Sequence, residues 1–161
     1  MRSLIGIILL FICFIIPLHF FIMGDGVGFG LQGVLYQYKV SGYGSYLFPV
    51  TQDMSYSLVG TYTGKTMVSN LLWALGSLCI IVATILWLVN NSGIHRFDWL
   101  SGVLLMVAGV TYLISVMFQY GVFFYGPAGI SIPFGIPLLI GIGYLMMKSG
   151  TLDRTEEKDE L

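Results

Sequence analysis

Few side chains in this sequence are equipped for chemistry, and His19, Asp25 and Asp53 come first. An imidazole with two carboxylates is a donor set that can hold a divalent metal ion. No HxxxH or HExxH spacing frames these three, so they form a metal site only if the fold gathers them. The competing reading of His19, in Pro17-Leu-His-Phe-Phe21, is a hydrogen-bonded histidine near the end of an apolar helix. No Ser-His-Asp or Cys-His arrangement supports nucleophilic catalysis. His19 and His95 belong to opposite ends of the apolar segments, which excludes a bis-histidine haem. Cys13 and Cys79 sit in separate apolar runs without a CxxC and read as small packing residues. Gly24, Gly26, Gly28, Gly30 and Gly33 lack the GxxxxGK[ST] spacing of a phosphate loop and read as a hinge. No cofactor is expected.

The composition explains why chemistry is so sparse. Of 161 residues, 57% are hydrophobic and 9% charged, where a soluble domain carries roughly 25% charged residues. That deficit argues against a soluble enzyme, a disordered linker and a disulfide-stapled module. A net charge of −1 gives no field to gather phosphates, so no nucleic-acid partner is expected. The expected surroundings are a lipid bilayer.

Residues 3–24, 66–95 and 99–147 contain no Lys, Arg, Asp or Glu. A hydrocarbon core about 30 Å thick takes about 20 helical residues, so these intervals predict four spans, at 4–23, 70–89, 99–120 and 130–147. The first is longer than a signal-peptide core and no Ala-x-Ala follows, so it reads as retained. Trp73, Trp87 and Trp99 fall near span ends, as an aromatic belt would. The expected fold is an all-α integral membrane four-helix bundle with a small extracytoplasmic antiparallel β-sheet in the first outer loop. It forms a single membrane domain over 1–161.

Arg2, Arg96, Lys148, Arg154 and Lys158 would share one side, with Lys39 and Lys65 on the other. The positive-inside rule then puts both termini in the cytoplasm, with the plasma membrane as the expected location. The terminal Lys158-Asp-Glu-Leu161 matches an ER-retrieval signal, which is read only in the lumen. On this topology it belongs to an acidic cytoplasmic tail, 148–161, and is incidental.

The loop 24–69 carries period-two patterns. Val34 to Val40 alternates, Tyr43 to Val50 is a second extended piece, and Met54 to Thr63 alternates again. Six tyrosines, Tyr36, Tyr38, Tyr43, Tyr46, Tyr56 and Tyr62, make this loop the expected interaction surface. Within the spans, Ser101, Ala108 and Ser115 recur every seven residues, with Gly102 and Gly109 beside them. Gly76 and Ala83 do the same, and Gly135, Gly141 and Gly143 thin the last span. Small residues let helices approach in lipid. Ser77, Thr84, Thr111 and Ser115 are expected to bond carbonyls of neighbouring helices.

Four spans with a long β-rich first outer loop and a short second one resemble the claudin-like arrangement. Claudins carry a Trp-Gly-Leu-Trp motif and two cysteines in that loop. Neither Trp nor Cys occurs here, so no residue is carried over. The resemblance implies lateral self-association through an outer sheet. The expected function is therefore a non-catalytic structural or accessory membrane protein, associating with copies of itself or with other membrane subunits. An oligomeric channel or small transporter, and a metal-dependent enzyme subunit using His19, Asp25 and Asp53, stand as alternatives.

Overall fold

The computed structural model describes residues 2–24, 26, 28–90 and 97–159, with side chains described at 8, 10–24, 26, 28–89 and 99–148. The described elements are α1 (Arg2–Ile15), β1 (His19–Met23), β2 (Phe29–Gln32), β3 (Tyr36–Ser41), β4 (Gly44–Pro49), α2 (Val50–Leu58), α3 (Gly64–Asn90), α4 (Phe97–Tyr120), β5 (Tyr125–Gly126), β6 (Gly129–Ile132) and α5 (Gly135–Asp159). The six strands form one antiparallel sheet in the order β4-β3-β2-β1-β6-β5.

This corrects the four-helix membrane bundle. Among the described residues two helical segments, Gly64–Val89 and Trp99–Tyr120, are long and apolar enough to cross a membrane. The predicted first span stops at Ile15 because Pro17 disfavours helix at the residue before it and lacks an N–H of its own. At about 1.5 Å per residue, the 14 residues of α1 fall well short of a 30 Å core. His19–Met23, with three β-favouring residues, pairs as a strand instead. The predicted fourth span loses Ile130–Ile132 to β6, and the apolar part of α5 is confined to Gly135–Lys148. The claudin-like resemblance, drawn on four spans, loses that basis.

The sheet also exceeds its predicted place. Instead of lying within one loop, it takes β1 from the first apolar run and β5 and β6 from the segment after α4. The alternating piece at Met54–Thr63 is not a strand: its first half, to Leu58, closes α2 and its second half is turn. Pro49 occupies the N-cap of α2, Ser55 and Ser57 donate to the carbonyls of Gln52 (2.7 Å) and Asp53 (3.0 Å), and Gln52 donates to the Tyr56 hydroxyl at 2.9 Å. These local bonds overrule the period-two pattern. Residues 148–159, expected as a tail, continue α5.

Helix α4 packs against both α3 and α5. Its buried residues Ser101, Leu105, Ala108, Tyr112, Ser115 and Val116 follow the four-and-three spacing of one helical face, and the buried Gly102 and Gly109 beside them widen that face enough to meet both neighbours. Gly102 and Gly143 mark the closest approach to α5. A methyl group on Gly102 would meet the Met147 amide, and one on Gly143 the Met106 amide. Gly109 faces Ile140 and Gly76 faces the Tyr112 ring, whereas Gly141 looks into open space. Thr84 and Thr111 bond the carbonyls of Ile80 and Val107 one turn back (both 2.8 Å), so they serve their own helices rather than neighbours.

Trp73 and Trp87 are buried rather than belted, while Trp99 is exposed. The Trp73 indole N–H donates to the Gly33 carbonyl at 3.0 Å, and the Ser77 hydroxyl donates to the Val34 carbonyl. Ser77 also shares a 3.0 Å bond with the Tyr112 hydroxyl. The β2–β3 turn is thereby plugged into α3 and α4, with Val34 wholly buried. Replacing Trp73 by Phe keeps most of the packing and orphans the Gly33 carbonyl, at a cost of about 1–3 kcal/mol. Thermal unfolding of purified Trp73→Phe should show a lowered midpoint with the helical signal of the folded state retained. An unchanged midpoint would mean that this bond does not hold the turn.

Candidate functional site

The two sides of the sheet have opposite characters, and cross-strand register shows how. Residues paired directly across an antiparallel ladder point the same way. His19 opposes Gln32, Phe21 opposes Gly30 and Ser131, Gln32 opposes Gln37, and Gly30 opposes Lys39. This side faces α2, α3 and α4. The other side joins Tyr125 and Ile130 to Ile22, Phe29 and Val40, and Ile132 to Phe20, Leu31, Tyr38 and Leu47. It contains no charged residue and much of it is exposed, including Ile22, Phe29, Tyr38, Leu47, Tyr125, Ile130 and Ile132. An isolated sheet on a helical layer ordinarily buries its apolar side and wets its polar one. Here the arrangement is reversed.

The polar side closes over a cavity of about 150 Å³ between the sheet and the sheet-proximal ends of α3 and α4. Its walls include His19, Gln32, Gln37 and Lys39 from the strands, Asp53 from α2, Thr66, Ser69 and Asn70 from α3, and Ser115 and Gln119 from α4. Ser69 and Ser115 tie the two helices together: their hydroxyls lie 3.0 Å apart, and Ser115 donates to the Ser69 carbonyl at 2.8 Å.

His19 is buried, and both its nitrogens are engaged. Nε2–H donates to Gln32 Oε1 at 2.6 Å, while Nδ1 accepts the Ser131 hydroxyl at 2.9 Å. One neutral tautomer satisfies both bonds. The ring therefore stitches β1 to β2 and β6, with Phe21 and the edge of Tyr120 against it. Burial lowers its pKa to about 4, against smaller opposing effects from the Gln32 bond and the Phe20 backbone.

Asp53 is in the opposite condition. It is 1% exposed, and neither carboxylate oxygen has a hydrogen-bond partner among the described residues. Burial raises its pKa. The charge of Lys39 opposes this, as does the Tyr62 hydroxyl, which is near but outside hydrogen-bonding geometry. Burial lowers the Lys39 pKa and the Asp53 charge opposes that shift. The Lys39 ammonium sits 5.2 Å from the centre of the Phe48 ring.

Of the three residues read as metal ligands, His19 and Asp53 line the same cavity and Asp25 lies outside the described residues. No group of three or more His, Cys, Asp or Glu suited to a metal ion occurs among the described residues. With both His19 nitrogens bonded, the first of the three has no lone pair to offer without breaking the sheet's own bonds.

The six tyrosines are dispersed. Tyr36 and Tyr38 are on the apolar side, and Tyr36 donates to the Ile15 carbonyl at 3.3 Å. Tyr46 is on the opposite side, stacked on Phe48. Tyr43 is in the exposed β3–β4 turn, and Tyr56 meets Tyr62 edge-on beside α2. Sequence reading missed Phe20, Ile22, Ile130 and Ile132, because period-two alternation is invisible inside an unbroken apolar run. Pro17 and Pro133 were the available signals that helix stops there. No family model matches the chain, and no curated protein matches it.

The His19 pKa carries a stability signature. An unfolded imidazole titrates near 6.5 and the folded one near 4, so the unfolded state binds more protons between these values. Stability is complete above pH 6.5 and falls as pH drops toward 4, by on the order of 3 kcal/mol at 1.36 kcal/mol per pKa unit. Asp53, with a raised pKa, works in the opposite sense, so the comparison must isolate His19. Unfolding midpoints from pH 4 to 7 should decline more steeply in the wild type than in His19→Gln. Parallel profiles would contradict the neutral, locked imidazole.

Proposed function

We propose that this chain is a membrane-embedded, non-catalytic structural protein that associates with a second copy of itself through the apolar side of its sheet. Two observations support the bilayer. The most apolar windows of Gly64–Val89 and Trp99–Tyr120 are 33% and 50% buried, whereas a core helix of a soluble protein is mostly covered. Leu75, Leu78, Ile85 and Leu88 on α3, with Val107, Val110 and Phe118 on α4, are exposed and suit lipid contact.

The observation that carries the docking reading is the reversed sheet. Its apolar side points away from the helix ends, so lipid packed around those helices would not cover it. A bare apolar area of this kind marks a protein contact. An uncharged surface has no charge pattern with which to select a differently charged partner. It needs only an apolar, shape-matched surface, which an identical copy provides in a two-fold, self-complementary contact. Two sheets packed face to face at about 10 Å make such a contact. For orientation, the positive-inside rule favours a cytoplasmic location for the helix ends that carry Arg2 and Lys148, with the sheet on the outer side, and the plasma membrane is the location proposed.

The test is the mass of the protein released from lipid nanodiscs, with the variant Ile22→Asp/Ile130→Asp alongside. Wild type should be dimeric, and the variant should dissociate with at least a ~100-fold weaker constant, about 2.7 kcal/mol, while keeping its secondary structure. A wild type that is monomeric, or that carries a different protein in place of a second copy, would overturn the reading, as would a dimer indifferent to the two aspartates.

A further inference from the structure

We propose that the cavity beneath the sheet is a binding site for a small zwitterion, its ammonium on Asp53 and its acidic group toward Lys39. The cavity measures about 150 Å³. A cavity of this size takes several waters or one small organic molecule.

The decisive feature is Asp53. A carboxylate that is 1% exposed, lines the cavity and receives no hydrogen bond among the described residues is a costly arrangement unless something else donates to it. Lys39, on β3, lines the same cavity and senses the Asp53 charge, yet does not come within hydrogen-bonding distance of it. An anion and a cation are thus held in one chamber without touching.

That pairing selects among ligands. A simple cation would satisfy Asp53 and be repelled by Lys39, and a simple anion would meet the converse. An apolar molecule would leave the carboxylate orphaned. A molecule with an ammonium at one end and a carboxylate at the other satisfies both. Gln37 and Gln119, in the same lining, supply neutral amides along its length. Asn70 gives its N–H to Ser57 at 3.4 Å, which leaves its carbonyl oxygen for an ammonium. His19 takes no part, because both ring nitrogens are committed. The site is one of recognition: nothing in it is arranged to break a bond.

Glycine, 3-aminopropionate and 4-aminobutyrate span a graded charge separation and serve as probes of the full-length protein in lipid nanodiscs. Acetate and methylammonium serve as half-probes. Calorimetric titration should give saturable binding of at least one of the three zwitterions, and neither half-probe should match it at equal concentration. Binding should weaken at least tenfold in Asp53→Asn and in Lys39→Gln. Saturation-transfer NMR on the wild type gives a second reading that does not depend on either variant folding. Absence of binding by all three zwitterions would overturn the proposal, as would half-probes that bind equally well or affinity unchanged in Asp53→Asn.

Discussion

Two backbone carbonyls, those of Gly33 and Val34, decide how the sheet sits on the helices. They belong to a turn, so no ladder partner is available to them on that side, and Val34 is wholly buried. A buried, unpaired carbonyl costs about 1–3 kcal/mol. The Trp73 indole and the Ser77 hydroxyl remove that cost from α3, and Tyr112 on α4 steadies the hydroxyl. Once this turn is fixed, β1 is fixed at both ends of its entry. Leu18 donates to the Gln32 carbonyl at 2.7 Å and accepts from the Gly135 amide at 2.9 Å. The sheet therefore has only one side to show the helices.

That side is polar, and several of its most deeply buried groups are paired. His19 spends both nitrogens across three strands, and the Ser69 and Ser115 hydroxyls bond across two helices. Among the described buried side chains, the orphans are Ser101 and Asp53. Ser101 lies one residue before Gly102, where α4 and α5 meet most closely, and there its small size matters more than its hydroxyl. Asp53 has no such excuse. Its isolation beside Lys39 is the one electrostatic arrangement that the fold itself leaves unfinished. The apolar side of the sheet is the matching unfinished packing arrangement.

Much of this was legible in the sequence where polarity alternated or charge was missing. The two longest apolar helices lie close to the predicted 70–89 and 99–120, although α3 begins at Gly64 because nothing in Gly64–Ser69 resists helix. Tyr36–Ser41 and Gly44–Pro49 were visible as extended pieces between Gly and Pro punctuation. The strands at His19–Met23 and Gly129–Ile132 were not. Both of their sides are apolar or aromatic, apart from His19 and Ser131, so charge-free length absorbed them into spans. Their pairing joins residues more than a hundred positions apart, which no local pattern encodes. The cavity was half legible. Of the candidate metal ligands His19, Asp25 and Asp53, His19 and Asp53 do share its wall and Asp25 lies outside the described residues, but no local pattern marks Lys39 as part of it. The tyrosines were legible as a composition and not as a surface, since strand register scatters them over both sides.

Covering of the apolar side is the central claim, and position-specific cross-linking in native membranes reads it most directly. In a background with Cys13 and Cys79 replaced by Ala, single cysteines at Ile22, Ile130 and Gln37 place thiols on the two sides of the sheet. Oxidation should join copies through Ile22→Cys and Ile130→Cys, near the middle of the apolar side, and leave Gln37→Cys monomeric. Cross-linking confined to Gln37→Cys, or equal at all three positions, would contradict the account.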